Sequence, residues 1–221
     1  KNIKKAAELT DAGFAHILKY IKPGMKEIDV ALELEFFIRK NGGKGVAFSY
    51  IVASGERGAM PHGVASDKVI SPGDLVTFDF GTSYNGYRSD MTRTIGIGDP
   101  SPKMRELYST VLEAQLAGLQ AIKAGIKCVD ADAAARNIIK DAGYGEYFGH
   151  SLGHGVGLAI HEGPRVSQYS EEVLEAGMVV TCEPGIYIPN EGGVRIEDLV
   201  IVRENGCEIL SHSPKELIVI E

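Results

Sequence analysis

The stretch GDLVTFDFG, residues 73–81, recurs later in the chain as GMVVTCEPG, residues 177–185. The two copies share both terminal glycines and the Val and Thr between them, and Asp79 of the first copy falls on Glu183 of the second. Each copy is an apolar run of strand character that follows a glycine turn. A strand unit that is repeated within one chain predicts two halves with the same arrangement of elements.

The helical segments repeat as well. Residues 18–42 match residues 119–143 at a constant spacing, and the match includes the glycines that end each unit, Gly42 and Gly143. Chance similarity between two helix–strand units is the alternative explanation. We interpret the pattern as an internal duplication, because the helices and the strands repeat in the same order.

This interpretation gives a single domain over residues 1–221, with halves at about 1–100 and 101–221. The predicted fold class is α+β, with the two halves related by a pseudo-twofold axis. A site on that axis would take side chains from both halves.

Composition sets the broad class. The chain has 221 residues, 44% of them hydrophobic, which is enough for a substantial core. The net charge of -7 argues against a nucleic-acid partner. No apolar run approaches the roughly 20 residues of a membrane span. The three cysteines are odd in number and lack metal-ligand spacing, so we expect a reduced, cytoplasmic setting.

Apolar spacing and turn residues predict the elements around the repeats. Helices are predicted at 1–21, 29–40, 103–123 and 130–142, and strands at 46–55, within 68–81, up to residue 98 after a hairpin turn at Asn85-Gly86, and near residue 218.

The first half places two acids on one strand face. Alternate residues of a strand share a face, so Asp79 stands among apolar strand residues. A two-residue turn at Asn85-Gly86 would pair Asp79 with Thr92 and make Asp90 a diagonal neighbour. Two carboxylates this close repel each other unless a cation lies between them.

The second half offers Glu183 and Glu197, again predicted on strands that flank a turn, here at Gly192-Gly193. Four carboxylates and one histidine suit two divalent metal ions, an arrangement known from hydrolytic sites. Oxygen-rich ligands favour manganese, cobalt or iron over thiolate-bound zinc. The alternative is that each acid caps a turn or pairs with a nearby arginine, of which the chain offers Arg88, Arg93 and Arg195.

The segment FGHSLGHGVGLAIHE, residues 148–162, contains His150, His154 and His161. Its four interspersed glycines argue against a helix and favour extended chain, with close backbone approach to a metal or substrate. Chemistry alone does not rank these three histidines as ligands. The role of His62, in a Pro-His-Gly loop, is equally open.

Seven motifs in order closely resemble the metallopeptidase superfamily with the pita-bread fold, which includes methionine aminopeptidases, aminopeptidase P and prolidase. They are IVASG, PHG, TFDFG, GYRSDMTRT, GHSLGHGVGLAIHE, EPGIYIP and GGVRIED. The resemblance runs through nearly the whole chain, and it implies a curved antiparallel sheet with outer helices in each half.

The resemblance implies a role for each candidate residue. The metal ligands would be Asp79, Asp90, His154, Glu183 and Glu197. Glu183 would also be the acid/base residue, His161 would stabilise the oxyanion, and His62 would contact the substrate near the scissile bond. His150 and Arg195 would line the proline side of the pocket.

Within the superfamily, the Pro61-His62 loop and GGVRIED resemble the Xaa-Pro enzymes. The expected activity is removal of the N-terminal residue from Xaa-Pro peptides, as dipeptidase or aminopeptidase P, with two divalent ions: manganese first, cobalt, iron or zinc as alternatives. The expected substrate is a peptide with proline at the second position. A homodimer is a possible assembly. The N-terminal domain usual in Xaa-Pro enzymes is expected to be absent here. Methionine aminopeptidase and a non-catalytic peptide-binding scaffold are the alternative functions.

Overall fold

The computed structural model describes all of residues 1–221. It contains four α-helices, namely α1 (Asn2–Tyr20), α2 (Glu27–Lys40), α3 (Pro102–Ala121) and α4 (Cys128–Asp141). The strands of the first half and the last strand are β1 (Ile51–Ser54), β2 (Leu75–Phe80), β3 (Ser83–Tyr84), β4 (Tyr87–Arg88), β5 (Met91–Ile97) and β13 (Val219–Ile220). The strands of the second half are β6 (Gly153–Gly155), β7 (Glu162–Val166), β8 (Val179–Cys182), β9 (Gly185–Ile188), β10 (Gly192–Arg195), β11 (Asp198–Arg203) and β12 (Gly206–Ile209). Short 3-10 helices lie at Gly55–Ala59 and Gly145–Tyr147.

Helices and mainly antiparallel sheets confirm the α+β prediction, with one sheet built mostly from each half and β13, at the end of the chain, added to the first. The first sheet has the order β1-β2-β5-β13, and the second has the order β12-β11-β8-β6-β7. All pairings are antiparallel except that of β13 with β5. Strands β9 and β10 form a separate antiparallel ribbon. None of the helices is long and apolar enough to cross a bilayer.

Backbone geometry repeats between the halves. Three glycine pairs that align in the repeat adopt the same left-handed conformation: Gly24 and Gly125 with φ of 90° and 84°, Gly42 and Gly143 with 109° and 88°, and Gly73 and Gly177 with 94° and 95°. Glycine reaches positive φ at little cost, so these residues end helices and form turns in both halves.

Two separate hydrophobic cores lie beneath the helices. Helices α1 and α2 cover one face of the first sheet, where Phe14, Leu34 and Phe78 are fully buried. Helices α3 and α4 cover the second sheet in the same way, around Val111 and Ile139. Because the helices occupy one face of each sheet, the opposite faces are free to meet and share polar groups.

A buried ion pair joins the halves. Arg93, on β5, donates through Nη2 to Asp198 Oδ1 on β11 at 2.7 Å, and both side chains are almost fully buried. Gln115 donates to the other oxygen of Asp198 at 2.9 Å, and Lys215 approaches it at 2.6 Å. Arg93 therefore pairs with an acid outside the predicted ligand set.

Asp198→Ala is expected to destabilise the protein by about 3–5 kcal/mol, because it leaves the guanidinium of Arg93 buried without its counter-ion. Urea unfolding followed by circular dichroism measures the change. Asp99→Ala is the control, since it breaks an exposed pair with Arg105 and should cost at most about 1 kcal/mol. Equal effects of the two variants would contradict a structural role for the buried pair.

Two sequence predictions need correction. The strand predicted at 46–55 pairs with β2 only at residues 51–54. Before this strand, Val46 forms only an isolated bridge with Thr82, and the N–H of Ala47 donates to the carbonyl of Gly81 at 3.0 Å. A bend at residues 47–48 separates that bridge from β1, so the pairing is not one continuous strand. The turn predicted at Gly192-Gly193 instead occupies residues 189–191, and Asn190 has a φ of 62°.

Glycine at position 193 has a packing reason. Both Gly192 and Gly193 belong to β10, where they pair with Ile188 and Tyr187. A Cβ on Gly193 would lie 2.2 Å from the carbonyl oxygen of Gly58. The glycine thus allows the 55–65 loop to pack directly on the ribbon.

Candidate metal centre

The first half contributes two acids, as the hairpin register predicts. Asp79 lies on β2 directly opposite Thr92 of β5. Asp90 immediately precedes β5 and is 5% exposed. The turn at Asn85-Gly86 has positive φ at both residues, which is the geometry that a two-residue hairpin requires.

The second half contributes two more acids, which lie at interruptions between strands and not within them. Glu183 follows the last residue of β8, and Glu197 lies in the gap between β10 and β11. The Oε2 atom of Glu197 accepts a hydrogen bond from the Thr92 hydroxyl at 2.7 Å, so this acid reaches across to the first half. Because ladder pairing stops at these breaks, both side chains can face the space between the sheets.

Three potential ligand atoms, one each from Asp90, His154 and Glu197, lie within 4.8 Å of one another. Asp90 Oδ1 and Glu197 Oε1 are buried and have no hydrogen-bond partner. A buried carboxylate oxygen without a partner is costly. Two such oxygens beside an imidazole are the donors that a divalent cation takes, so the residues present fit a metal ion.

His154 is oriented as a ligand. Its Nδ1 lies 3.0 Å from the carbonyl oxygen of Gly155, to which it donates, so Nε2 faces the acids. Nε2 lies 3.3 Å from Glu183 Oε1 and 3.6 Å from Asp90 Oδ2. A ligating histidine commonly donates its other ring nitrogen to a backbone carbonyl. His150 makes the same backbone contact, to Ser151 at 2.8 Å, but its Nε2 is engaged by the Tyr187 hydroxyl. The position of Nε2 beside two acids therefore distinguishes His154, which the sequence alone did not.

Charge interactions within the cluster move the pKa values apart. Burial, together with the charges of Glu197 and Asp79, raises the pKa of Asp90 well above its usual range. Burial and the charges of Glu183 and Asp79 do the same for the pKa of Glu197. Burial acts to raise the pKa of Glu183, but its hydrogen bond with His154 and the charge of that residue bring it down to about 2.

Asp79 is paired with an arginine. Arg195 Nη2 donates to Asp79 Oδ2 at 2.6 Å and Nε donates to the Thr92 hydroxyl at 3.1 Å. Nη1 donates to the hydroxyl of Tyr187 at 2.8 Å, and that hydroxyl lies 2.7 Å from His150 Nε2. The alternative weighed for the acids, pairing with a nearby arginine, thus holds for Asp79 in this structure. Sequence reasoning missed Tyr187, whose only signal is its place in the EPGIYIP motif.

All nine predicted site residues line one cavity of about 680 Å³. These are His62, Asp79, Asp90, His150, His154, His161, Glu183, Arg195 and Glu197. The rings of His154 and His161 are 4.3 Å apart at their centroids, while His62 is exposed at the rim. Arg165 also lines the cavity, and it lies opposite His154 in the pairing of β6 with β7. The sequence analysis did not single it out.

The glycines on either side of His154 allow close contact with neighbouring backbone. A Cβ on Gly153 would lie 2.0 Å from the carbonyl oxygen of Thr181, and one on Gly155 would lie 2.2 Å from that of Gly163. At these two positions the close approach that glycine allows is to neighbouring backbone, while a Cβ on Gly149 would meet nothing within 4 Å.

The metal-free protein is expected to lose stability as pH rises above about 4. The raised pKa values of Asp90 and Glu197 mean that the folded state holds more protons than the unfolded state above this pH. Glu183, whose pKa is lowered to about 2, contributes the opposite slope at more acidic pH. The lowered pKa values of His150 and His161 also oppose the trend, below about pH 6.5. The shifts of the two acids are larger, so the net slope stays negative. Urea unfolding in chelator at pH 5, 6, 7 and 8 measures the trend. An unfolding free energy that increases over this series would contradict it.

Two repeated α+β halves that share one buried cluster of carboxylates with an imidazole define a metalloprotein of the hydrolase type. The chain belongs to metallopeptidase family M24, which residues 1–204 match. The predicted superfamily is thereby confirmed, and membership supports the use of divalent metal.

The relatives agree on the fold. The chain is 53% identical over 216 residues to the Xaa-Pro dipeptidase of Pyrococcus furiosus, a match that covers 98% of this chain and 62% of that protein. A solved structure of Xaa-Pro dipeptidase from Bacillus anthracis matches with a TM-score of 0.99 and 59% identity, over 100% of this chain and 62% of the other. An X-Pro aminopeptidase structure from Thermotoga maritima matches with a TM-score of 0.97 and 47% identity, over 99% of this chain and 62% of the other. The pita-bread prediction is confirmed by these matches, and the chain spans just under two thirds of the proteins it matches.

Proposed function

We propose that this chain is the catalytic domain of a metal-dependent exopeptidase that removes the N-terminal residue from Xaa-Pro peptides. The observation that carries the proposal is the pair of partnerless carboxylate oxygens, Asp90 Oδ1 and Glu197 Oε1, buried beside His154. The names of the relatives, Xaa-Pro dipeptidase and X-Pro aminopeptidase, support the substrate class. A homodimer and a cytoplasmic location remain predictions, which rest on the resemblance and on the cysteine count.

The proposed ligands of two divalent ions are Asp79, Asp90, His154, Glu183 and Glu197. Four carboxylates carry enough negative charge for two such ions, and oxygen-rich ligands favour manganese. When bound, the ions supply a water of lowered pKa and polarise the substrate carbonyl. With metal present, Asp79 would divide its two oxygens between a metal ion and Arg195, since only Oδ2 is engaged by the guanidinium.

Glu183 is the proposed proton carrier. Its Oε1 accepts from the Thr181 hydroxyl at 2.9 Å and faces His154, which leaves Oε2 to take up the proton of the attacking water. His161 has a lowered pKa through burial and the charge of His154, so its neutral ring keeps one N–H to donate to the carbonyl oxygen. His62 lies at the cavity rim, where it can contact the substrate beside the scissile bond.

His150 and Arg195 form the proposed proline side of the pocket. Both are held by the hydroxyl of Tyr187, so neither ring nor guanidinium is free to reorient. Proline has no backbone N–H, so a site for it must recognise the ring and cannot rely on that donor.

A comparison of substrates tests the activity. The purified chain, loaded with Mn²⁺, should hydrolyse an Xaa-Pro dipeptide faster than Met-Ala and should bind two equivalents of metal by calorimetry. Faster turnover of Met-Ala would favour a methionine aminopeptidase. Failure to hydrolyse either peptide, despite metal binding, would favour a peptide-binding scaffold.

Arg165 offers a way to separate a dipeptidase from an aminopeptidase. Arg165 lines the cavity and is exposed. None of the ion pairs in the structure involves it. Arginine recognises a carboxylate through two parallel hydrogen bonds. Arg165→Met is expected to raise KM about tenfold for a dipeptide with a free carboxylate and less than about twofold for its amide. Equal changes for the two substrates would contradict this role.

A further inference from the structure

The loop at residues 55–65 brings His62 and Val64 to the cavity, yet it has almost no core of its own. Gly58 and Gly63 are its only buried residues, and Val64 is 48% exposed. Besides the backbone packing of Gly58 against Gly193, such a segment depends on polar contacts for its position.

Those polar contacts converge on Glu27, the first residue of α2, whose side chain is fully buried. Its Oε1 accepts from the N–H and the hydroxyl of Ser54, both at 2.8 Å, just before the loop. Its Oε2 accepts from the hydroxyl of Ser66 at 2.7 Å and from the N–H at 3.1 Å, just after the loop. Arg57, within the loop, donates to the same Oε2 and also to the carbonyl of Val64, the latter at 2.8 Å. One carboxylate therefore joins both ends of the loop and its middle.

The second half shows that the helix–strand unit does not need this acid. Cys128 begins α4 at the position that Glu27 has in α2. The N–H of Cys128 donates to the carbonyl of Glu172 at 2.8 Å. The N–H of Glu27 makes the matching bond, to the carbonyl of Lys68 at 3.0 Å. The same backbone thus forms around an uncharged side chain.

The two halves differ in the segment that comes after each helix pair. In the second half, the residues that correspond to the 55–65 loop include strand β7, which the sheet holds through its pairing with β6. In the first half, residues 55–65 have no strand of that length, only a 3-10 helix and an isolated bridge between Val64 and Ile51. The hydrogen bonds of Glu27 lie at the segment that lacks this pairing.

We propose that Glu27 is a positioning residue for peptide hydrolysis, whose carboxylate holds the 55–65 loop so that His62 faces the substrate. The inference rests on the proposed function, because the substrate gives His62 its role. Glu27 touches no substrate, and it acts only through the loop.

Kinetics in two backgrounds test this role. Glu27→Gln keeps the size of the side chain but turns an amide NH₂ toward the donors. We expect kcat/KM for an Xaa-Pro dipeptide to fall about tenfold, mainly through KM, since displacement of a binding group weakens substrate positioning. In a His62→Ala background the same substitution should change kcat/KM less than twofold. An equal loss in both backgrounds would overturn the proposal, because the acid would then act on the fold as a whole. The control is Glu35→Gln, on the same helix in an exposed pair with Arg39, which should leave the kinetics unchanged.

Hydrogen exchange gives a readout without activity. Amides of residues 55–66 should exchange at least about tenfold faster in Glu27→Gln, while those of α2 and β2 keep their rates. If Glu27→Gln does not fold, Arg57→Met is the second variant. It leaves the bonds to Ser54 and Ser66 in place, and it should change the same rates in the same direction. Loop exchange at the wild-type rate would overturn the proposal.

A wild-type chain that binds metal but hydrolyses no Xaa-Pro peptide would refute the proposed function alone, and hydrogen exchange would then decide the role of Glu27.

Discussion

Replacement of Glu183 by glutamine is expected to lower kcat/KM for an Xaa-Pro dipeptide by about 10³-fold or more. General acid/base catalysis contributes roughly 10²–10⁴-fold, and the same carboxylate is a proposed metal ligand. The amide is neutral, so it can neither take a proton from water nor offset metal charge. Single-turnover hydrolysis at saturating Mn²⁺ measures the change, because it separates the chemical step from product release.

The fold should survive this substitution. Glu183 Oε1 accepts from Thr181, and an amide oxygen can accept the same bond. Thermal unfolding in chelator should therefore remain cooperative, with a midpoint lowered by the loss of the pairing with His154. Glu175→Gln serves as the control, since this glutamate is exposed in the same half and makes no side-chain bond. Full peptidase activity in Glu183→Gln would overturn the proposed mechanism.

The second large effect concerns Asp90. Asp90→Asn is expected to stabilise the metal-free protein and to weaken its stabilisation by metal. The carboxyl of Asp90 is buried among three other acids, as the causes of its raised pKa show. A neutral amide removes that repulsion, so we expect a gain of about 1–3 kcal/mol at pH 8 in chelator.

Metal should reverse the order of the two proteins. At about 1,000 times its dissociation constant, Mn²⁺ should add about 4 kcal/mol to the wild type. The variant has lost a ligand and should gain much less. Thermal unfolding with chelator and with Mn²⁺ gives the four required midpoints. The control Asp67→Asn, at a surface acid paired with Lys26, should behave as wild type in both conditions. A metal-free Asp90→Asn protein less stable than wild type would contradict this account of the cluster.

Local patterns predicted much of the first half of the site. A two-residue turn at Asn85-Gly86 sets the register of β2 and β5 by itself, so the pairing of Asp79 with Thr92 is obtained by counting residues. The second half of the site was harder to predict. Glu183 and Glu197 lie between strands, so the alternation of side chains along a strand does not show which way they face. The turn before β10 was predicted about three residues too late. Gly192 and Gly193 are strand residues, and they are glycines because neighbouring backbone packs closely against them.

By itself, the sequence determined the repeat, the four helices, the α+β class and the set of acids and histidines with which a metal centre can be built. The helices and turns are local features, since they depend on periodicity and turn residues along one segment. The repeat follows from comparison of two stretches of the chain. Only the tertiary structure decided which groups meet. The pairing of Arg195 with Asp79, the link through Tyr187 to His150, and the attachment of the His62 loop to Glu27 join residues 27 to 116 positions apart. Such contacts are set by how two sheets and their loops pack, and no local pattern in the chain records that geometry.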